Sequence, residues 1–342
     1  MDMKTLRRQA RERMNGVCRV CPVCDGRVCA GELPGMGGIR TGAAFRANVG
    51  ALEKIRFNMR VIHEIRDPQM ASILLGKPLR MPVLIAPMAG AKFNMGGGLT
   101  EDEYARAVTV GAKAAGSIVC TGDGTSEAFE AGLKAVAAAD SWGIPVIKPW
   151  AEDVFYDRLN RVANAGCTVV GMDIDTAAFT ALARSKRPVS PKSPAELRAI
   201  TDKAHALGMK FILKGVMSTE DAQLAKECGC DAIVVSNHGG RVFEALPGTA
   251  EVLPAIAKSV QGIKILVDGG VRSGADVLKM LALGAHAVLI GRPAIIAAMG
   301  GGEEGVQFWL ERIQRQLHES MLLTGCADIR EAGPHLLAST LS

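Results

Sequence analysis

The sequence predicts an α/β fold, a (β/α)8 TIM barrel with a short N-terminal Cys-rich helical extension. Three observations predict it. From residue 80 onward, apolar runs of strand length alternate with helical segments. There are eight such runs, the count at which a parallel sheet closes into a barrel. No GxGxxG follows the first run, so the open doubly wound sheet loses its main support. At 342 residues the chain is long for one domain and ordinary for a barrel, and 48% hydrophobic residues supply a large core.

The elements follow in order. Residues 1–42 read as the extension and 43–342 as the barrel domain. Residues 3–15 read as a short polar helix in which Lys4, Arg7, Arg8, Arg11 and Arg13 form a basic, solvated face. Asp2 and Glu12 interrupt that run and no apolar segment follows it, which argues against a secretory signal. Four of the nine cysteines come next: Cys18, Cys21, Cys24 and Cys29, spaced C-x2-C-x2-C-x4-C. A Gly-rich stretch at 35–38 and a helix over about 43–55 lead into the barrel.

The predicted strands are 82–87, 116–121, 144–148, 168–174, 209–214, 232–237, 264–269 and 287–291. Helical rhythm fills the gaps, as in Val154, Phe155, Leu159 and Val162, or Val277, Leu278 and Leu281 with Gly284 placed as a C-cap. The last helix carries Val306, Leu310, Ile313, Leu317 and Met321 on one stripe. A net charge of +5 is too mild to argue for nucleic acid. No apolar stretch is long enough to span a bilayer, and the expectation is a soluble, cytoplasmic protein.

In such a barrel the strand ends carry the site. They present Ala86, Pro87, Met88 and Ala89 after the first strand, Cys120 after the second, Lys148 after the third and Asp173 after the fourth. Lys214 ends the fifth, and Ser236-Asn237-His238-Gly239-Gly240-Arg241 follows the sixth. A histidine takes a proton near neutral pH, and an arginine offers a planar fork to a carboxylate. Together they suit chemistry at the α-carbon of an organic acid; a polar loop with a turn-forming Gly pair is the bland alternative. Asp268, Gly269, Gly270 and Arg272, then Gly291 and Arg292, end the last two strands. Glycine N–H groups and two arginines at that position make a phosphate site, against the simpler reading of a tight turn.

Here the chain resembles a known family. Lys214-Gly215, the 236–241 hexapeptide, Asp268-Gly269-Gly270-Val271-Arg272 and Gly291-Arg292-Pro293, in that order, resemble the FMN-dependent α-hydroxy-acid oxidase and dehydrogenase family, which includes glycolate and lactate oxidases. The similarity is strong over 200–326, weaker over 43–175 and missing from 1–42. It implies FMN as cofactor. It implies that Lys214 stabilises the anionic reduced flavin, that His238 is the base and that Arg241 binds the substrate carboxylate. Asp268, Gly270, Arg272, Gly291 and Arg292 would hold the ribityl chain and phosphate, with the backbone of 86–89 against the flavin.

The departures are specific. Pro34-Gly35 stand where the family has tyrosines, and Lys148 and Trp150 where it has Gln and then Tyr. Arg184 falls out of register with the family's second substrate arginine, and the loop that follows is cut to about 185–194. Tyr104 and Tyr156 fall on predicted helices and replace neither tyrosine.

The cysteine run is too compact for a two-knuckle zinc site and one residue longer than the bacterial iron–sulfur run, so iron–sulfur and zinc both stay open. A reducing compartment disfavours disulfides. The expected activity is oxidation of a 2-hydroxy acid of the lactate or glycolate kind, with hydride passing to flavin N5. The expected partners are the small organic acid and an electron-acceptor protein or quinone, in a homo-oligomer of tetramer type. A redox-neutral flavoenzyme resembling type 2 isopentenyl diphosphate isomerase, and a non-catalytic flavin and metal electron carrier, are the alternatives.

Overall fold

The eight runs form eight parallel strands closed into a barrel in the computed structural model, which describes residues 1–178 and 189–338. They are β1 (Val83–Met88), β2 (Ile118–Thr121), β3 (Ile144–Ile147), β4 (Val169–Asp173), β5 (Lys210–Val216), β6 (Ala232–Val235), β7 (Lys264–Val267) and β8 (Ala287–Ile290). Strand β8 closes the ring by pairing with both β7 and β1, for example Val288 with Val267 and with Val83. Arg184 and the first part of the 185–194 loop lie outside the described residues.

Side-chain alternation with period two then places the site. Leu84, Ala86, Ile118, Cys120, Ile144, Val146, Val169, Ile212, Val234, Leu266 and Leu289 point inward and pack as the barrel interior. Their strand neighbours, such as Ile85, Val119, Phe211 and Ile233, point outward and join the larger core shared with the helices. Each such fully buried aliphatic side chain contributes roughly 1.5–3 kcal/mol. Counting on by two along the inward parity gives Met88, Lys148, Asp173, Lys214, Ser236 and Asp268. The layer above the last apolar one is thus charged and polar, at the C-terminal rim. The opposite mouth is plugged by Leu74 and Leu79 of a small hairpin, Ser72–Leu74 with Lys77–Leu79.

The pairing register slips at the rim itself, between Ile85 and Met88 on β1 and between Lys214 and Val216 on β5. Such bulges re-aim the side chains around them. Gly215 sits in the second slip at φ +104°, and a Cβ there would lie 2.5 Å from Asp175 Cβ, so only glycine admits Asp175 this close.

The N-terminal helix, Met3–Arg13, is capped by Asp2, whose carboxylate accepts from Thr5 N at 2.9 Å. Its Leu6 and Ala10 are buried against the long C-terminal helix Arg292–Thr324, which breaks at Gly301 and Gly302. A Cβ at Gly300 would lie 2.3 Å from Leu6 O. Residues 1–42 therefore dock onto the barrel's own core, and their later part turns over the rim.

Candidate active site

A cavity of about 760 Å³ opens at the C-terminal rim. Strand ends form its floor and wall; residues of the 31–40 stretch, Pro34 and Gly35 among them, form its roof. Of the residues expected to hold a cofactor, all but Cys120 and Asp173 line this cavity, and so does Arg241. Cys120 sits one inward layer lower among apolar side chains, and burial pushes its thiol up to about 12, so it packs and does not react. Asp173 lies beneath the two lysines and works through them.

The floor is a buried ionic chain. Lys148 Nζ donates to Asp173 Oδ2 at 2.8 Å, and Lys214 Nζ forms an ion pair with Asp173 Oδ1 at 3.0 Å. Lys214 also approaches Asp268 Oδ2 at 3.5 Å and donates to Ser236 Oγ at 3.1 Å. Burial works against the Asp173 carboxylate, yet the Lys148 and Lys214 charges hold it well below the usual carboxylate range. Burial likewise opposes the Lys214 ammonium, but Asp173, Asp268 and Asp175 carry its pKa above the ordinary lysine value. Lys214 is thus a fixed cation at the cavity floor. Burial pushes Asp268 upward, and its Oδ1 has no partner in the protein.

His238 stands at the edge of that floor. Its Nδ1 lies 3.1 Å from Asp175 Oδ1, and its backbone N–H donates to Ser236 Oγ at 3.1 Å. A carboxylate only accepts, so Nδ1 carries the proton and Nε2 keeps its lone pair for the cavity. His238 has φ +55°, and Gly239 and Gly240 follow at +63° and +78°. A Cβ at Gly240 would lie 2.3 Å from Phe45 N, which is why the Gly pair follows the histidine. Burial pushes the His238 pKa below its ordinary value, helped by Lys148 and Lys214 and opposed by Asp175. The imidazole is therefore neutral and ready to accept a proton at neutral pH. Asp175, the carboxylate that meets His238, is the residue that sequence reasoning passed over: the Asp173-Ile174-Asp175 strand end offered two carboxylates, and only the first was chosen.

Three arginines gather at the other side. Arg241 donates to Gly35 O at 2.5 Å, Gly37 O at 3.2 Å and Asn94 Oδ1 at 3.1 Å. Arg292 donates to Met36 O at 2.7 Å, Gly239 O at 3.0 Å and Gly37 O at 3.1 Å, and stacks 3.8 Å over the Phe45 ring. Arg272 donates to Cys24 O at 3.3 Å. All these partners are neutral oxygens. Burial pushes Arg241 down to about 10, and burial with the charges of Arg241 and Arg272 pushes Arg292 down as well. Like charges brought together without a carboxylate are set up to receive an anion.

Trp150 does not take over the role of a substrate-binding tyrosine. Its Nε1 donates to buried Asp123 at 2.7 Å, an acceptor shared with Lys148 N at 3.0 Å and with Arg158. Tyr104 and Tyr156 sit on the helices Glu101–Ala114 and Glu152–Asn164, away from the cavity. The four N-terminal cysteines are free thiols, all half-buried, and no three of their sulfurs lie within 4.8 Å of one another. Asp173, Asp175 and His238 do meet that distance, but the Lys148 and Lys214 ammonium groups already occupy Asp173.

These residues fit FMN. The orphaned Asp268 Oδ1 suits a ribityl hydroxyl, the arginines and the 269–270 glycines suit the phosphate, and Lys214 suits an electron-rich ring. Comparison with known proteins agrees. The FMN-dependent dehydrogenase family model matches residues 36–205 and 189–339. A 4-hydroxymandelate oxidase of Amycolatopsis orientalis is 30% identical over 345 residues, covering 86% of this chain and 90% of the relative. An L-lactate oxidase of Nostoc sp. is 29% identical over 326 residues, covering 83% and 87%. A crystal structure of mandelate oxidase superposes with a TM-score of 0.79 at 28% identity, covering 99% of this chain and 98% of that one. A family match over most of the length, on a barrel whose rim carries a histidine–carboxylate pair, a buried lysine and a group of three arginines, means that this chain belongs to the FMN-dependent 2-hydroxy-acid oxidases and dehydrogenases.

Proposed function

We propose that the enzyme oxidises a small 2-hydroxy acid of the lactate or glycolate kind to the 2-oxo acid, with His238 as base. The observation that carries this reading is the His238–Asp175 pair at 3.1 Å, with its free Nε2 on the cavity and Arg241 three residues along the same loop. Arg241 exchanges part of its neutral carbonyl partners for the substrate carboxylate, a charge-assisted and bidentate interaction. That anchor places the 2-hydroxyl group toward His238. His238 Nε2 then accepts a proton, and Asp175 steadies the imidazolium that forms. FMN, when bound, supplies the two-electron acceptor. Lys214, fixed by Asp173, Asp268 and Ser236, holds a positive charge where negative charge develops, at no cost of reorganisation.

Anaerobic mixing of the flavin-loaded enzyme with a panel of 2-hydroxy acids tests the proposal. Bleaching of the flavin by at least one of them, with the 2-oxo acid formed in equal amount, is expected. If no member of the panel bleaches it, the redox-neutral or carrier reading takes its place. Reoxidation by oxygen compared with a quinone or an acceptor protein then assigns the enzyme as oxidase or dehydrogenase.

A further inference from the structure

The family match begins at residue 36 and leaves the cysteine run outside it. That run is nevertheless not a loose tail. Arg7 of the N-terminal helix donates to Val20 O at 2.9 Å and Cys21 O at 2.5 Å, and Arg11 donates to Arg19 O at 3.0 Å. Val20 is fully buried and holds φ +47°, a conformation that a β-branched residue keeps only where its surroundings dictate it. The loop between the first two cysteines is thus fixed from both sides. At its other end the run leans on the cavity wall, where Arg272 reaches Cys24 O and lies 3.6 Å from Cys24 Sγ.

We infer that Cys18, Cys21, Cys24 and Cys29 hold a four-iron iron–sulfur cluster that fastens the roof of the active site. Three observations converge on iron and sulfide. The thiols are all free and half-buried. A single zinc ion bonds sulfur at about 2.3 Å, which sets its four sulfurs roughly 3.8 Å apart. No three sulfurs here come within 4.8 Å of one another. A cubane gives each cysteine its own iron, so the four sulfurs need not converge on one atom. The first three cysteines keep the C-x2-C-x2-C step by which bacterial clusters take three ligands of one cluster, and Cys29, followed by Ala30 rather than the bacterial proline, supplies the fourth ligand here.

The charges around the run agree. A cluster held by four thiolates is anionic; among the described residues Arg7, Arg11, Arg272 and Arg292 stand around this run without a carboxylate partner, while Asp25 within it and Glu32 just past it pair with Arg27 and Arg19. N–H donors already aim at sulfur, from Val20 N to Cys18 Sγ at 3.3 Å as well as from Arg272. Such bonds to cluster sulfurs are a usual part of these sites. The run connects directly to the roof: Glu32 N donates to Cys29 O at 3.2 Å and Gly37 N to Glu32 O at 3.2 Å. Gly35, Met36 and Gly37 then offer the carbonyls that hold Arg241 and Arg292.

The test is metal analysis of the full chain purified without oxygen, with iron, acid-labile sulfide, zinc and released flavin measured on one sample. About four irons and four sulfides per chain are expected, either as isolated or after anaerobic reconstitution with ferrous iron and sulfide. Cys21→Ser and Cys24→Ser should each lower iron to below about a tenth of the parent, with circular dichroism confirming a folded barrel. One zinc per chain without sulfide, or four freely titrating thiols after attempted reconstitution, overturns the inference. Because flavin is measured separately, iron without flavin would count against the proposed reaction and leave the cluster standing.

Discussion

Asp175→Asn removes one charge and keeps the shape of the site. Asp175 acts through His238, with Oδ1 at 3.1 Å from Nδ1 and both side chains largely buried. Its worth lies in the imidazolium that forms when His238 takes the substrate proton. Two unit charges about 4 Å apart at an effective dielectric near 20 interact by about 4 kcal/mol, and each ~1.4 kcal/mol is a factor of ten in rate. The asparagine oxygen still accepts the Nδ1 proton and recovers part of this. Flavin reduction should therefore slow by roughly 10²–10³, while substrate binding, which rests on Arg241, changes little. Asp175 opposes the other groups that depress His238, so its loss should also move the acid-side midpoint of kcat/KM to lower pH. Stopped-flow anaerobic reduction across a pH series measures both. A drop of less than about threefold, with an unmoved midpoint, would refute the role of the pair.

Two further predictions concern the floor. Lys214→Met leaves Asp173 and Asp268 without their shared ammonium, so the fold should lose about 3–5 kcal/mol and the bound flavin should shift to a lower potential; denaturant unfolding and a redox titration check these, and an unchanged potential would count against Lys214 as the stabilising cation. In the parent enzyme, kcat/KM should rise with pH and level off with a midpoint below the ~6.5 of free imidazole, because burial and the two lysines depress His238. The same depressed pKa means that the unfolded chain binds the extra proton first, so this group's contribution to stability is full above the ordinary imidazole pKa and is lost as pH falls through that range. A midpoint above about 7 would contradict the neutral, buried base.

Much of this was legible because barrels obey simple periodicities. All eight predicted strands coincide with β1–β8 to within a few residues at either end. The reason is physical: strands buried on both sides read as unbroken apolar runs, and each must be followed by a helix that returns the chain. The helix over 43–55 and the polar helix at the start were legible for the same kind of reason. Less legible was that Leu6 and Ala10, two apolar positions in a basic helix, lock it to the C-terminal helix. A spacing of four shows that a helix has an apolar stripe, but not what covers it.

The site shows where one-dimensional reading stops. Lys148, Lys214 and Asp268 were visible because each ends an apolar run, and the inward parity of each strand now explains why they share one layer. Cys120 ended a run too, but one inward step too early, so it fell in the apolar layer. Parity would have sorted these residues, had it been counted from the interior side. It could not have found Asp175, which follows β4 in a short 3-10 turn, Ile174–Ala178, where strand alternation no longer applies. What brings Asp175 to His238 is the slip beside Gly215 on the neighbouring strand, a long-range event that no local pattern in residues 173–178 encodes. The roof poses the same problem in stronger form. Nothing in Gly35-Met36-Gly37 marks these residues as partners of arginines some two hundred residues later; their backbone carbonyls do the holding, and a carbonyl leaves no trace in a sequence.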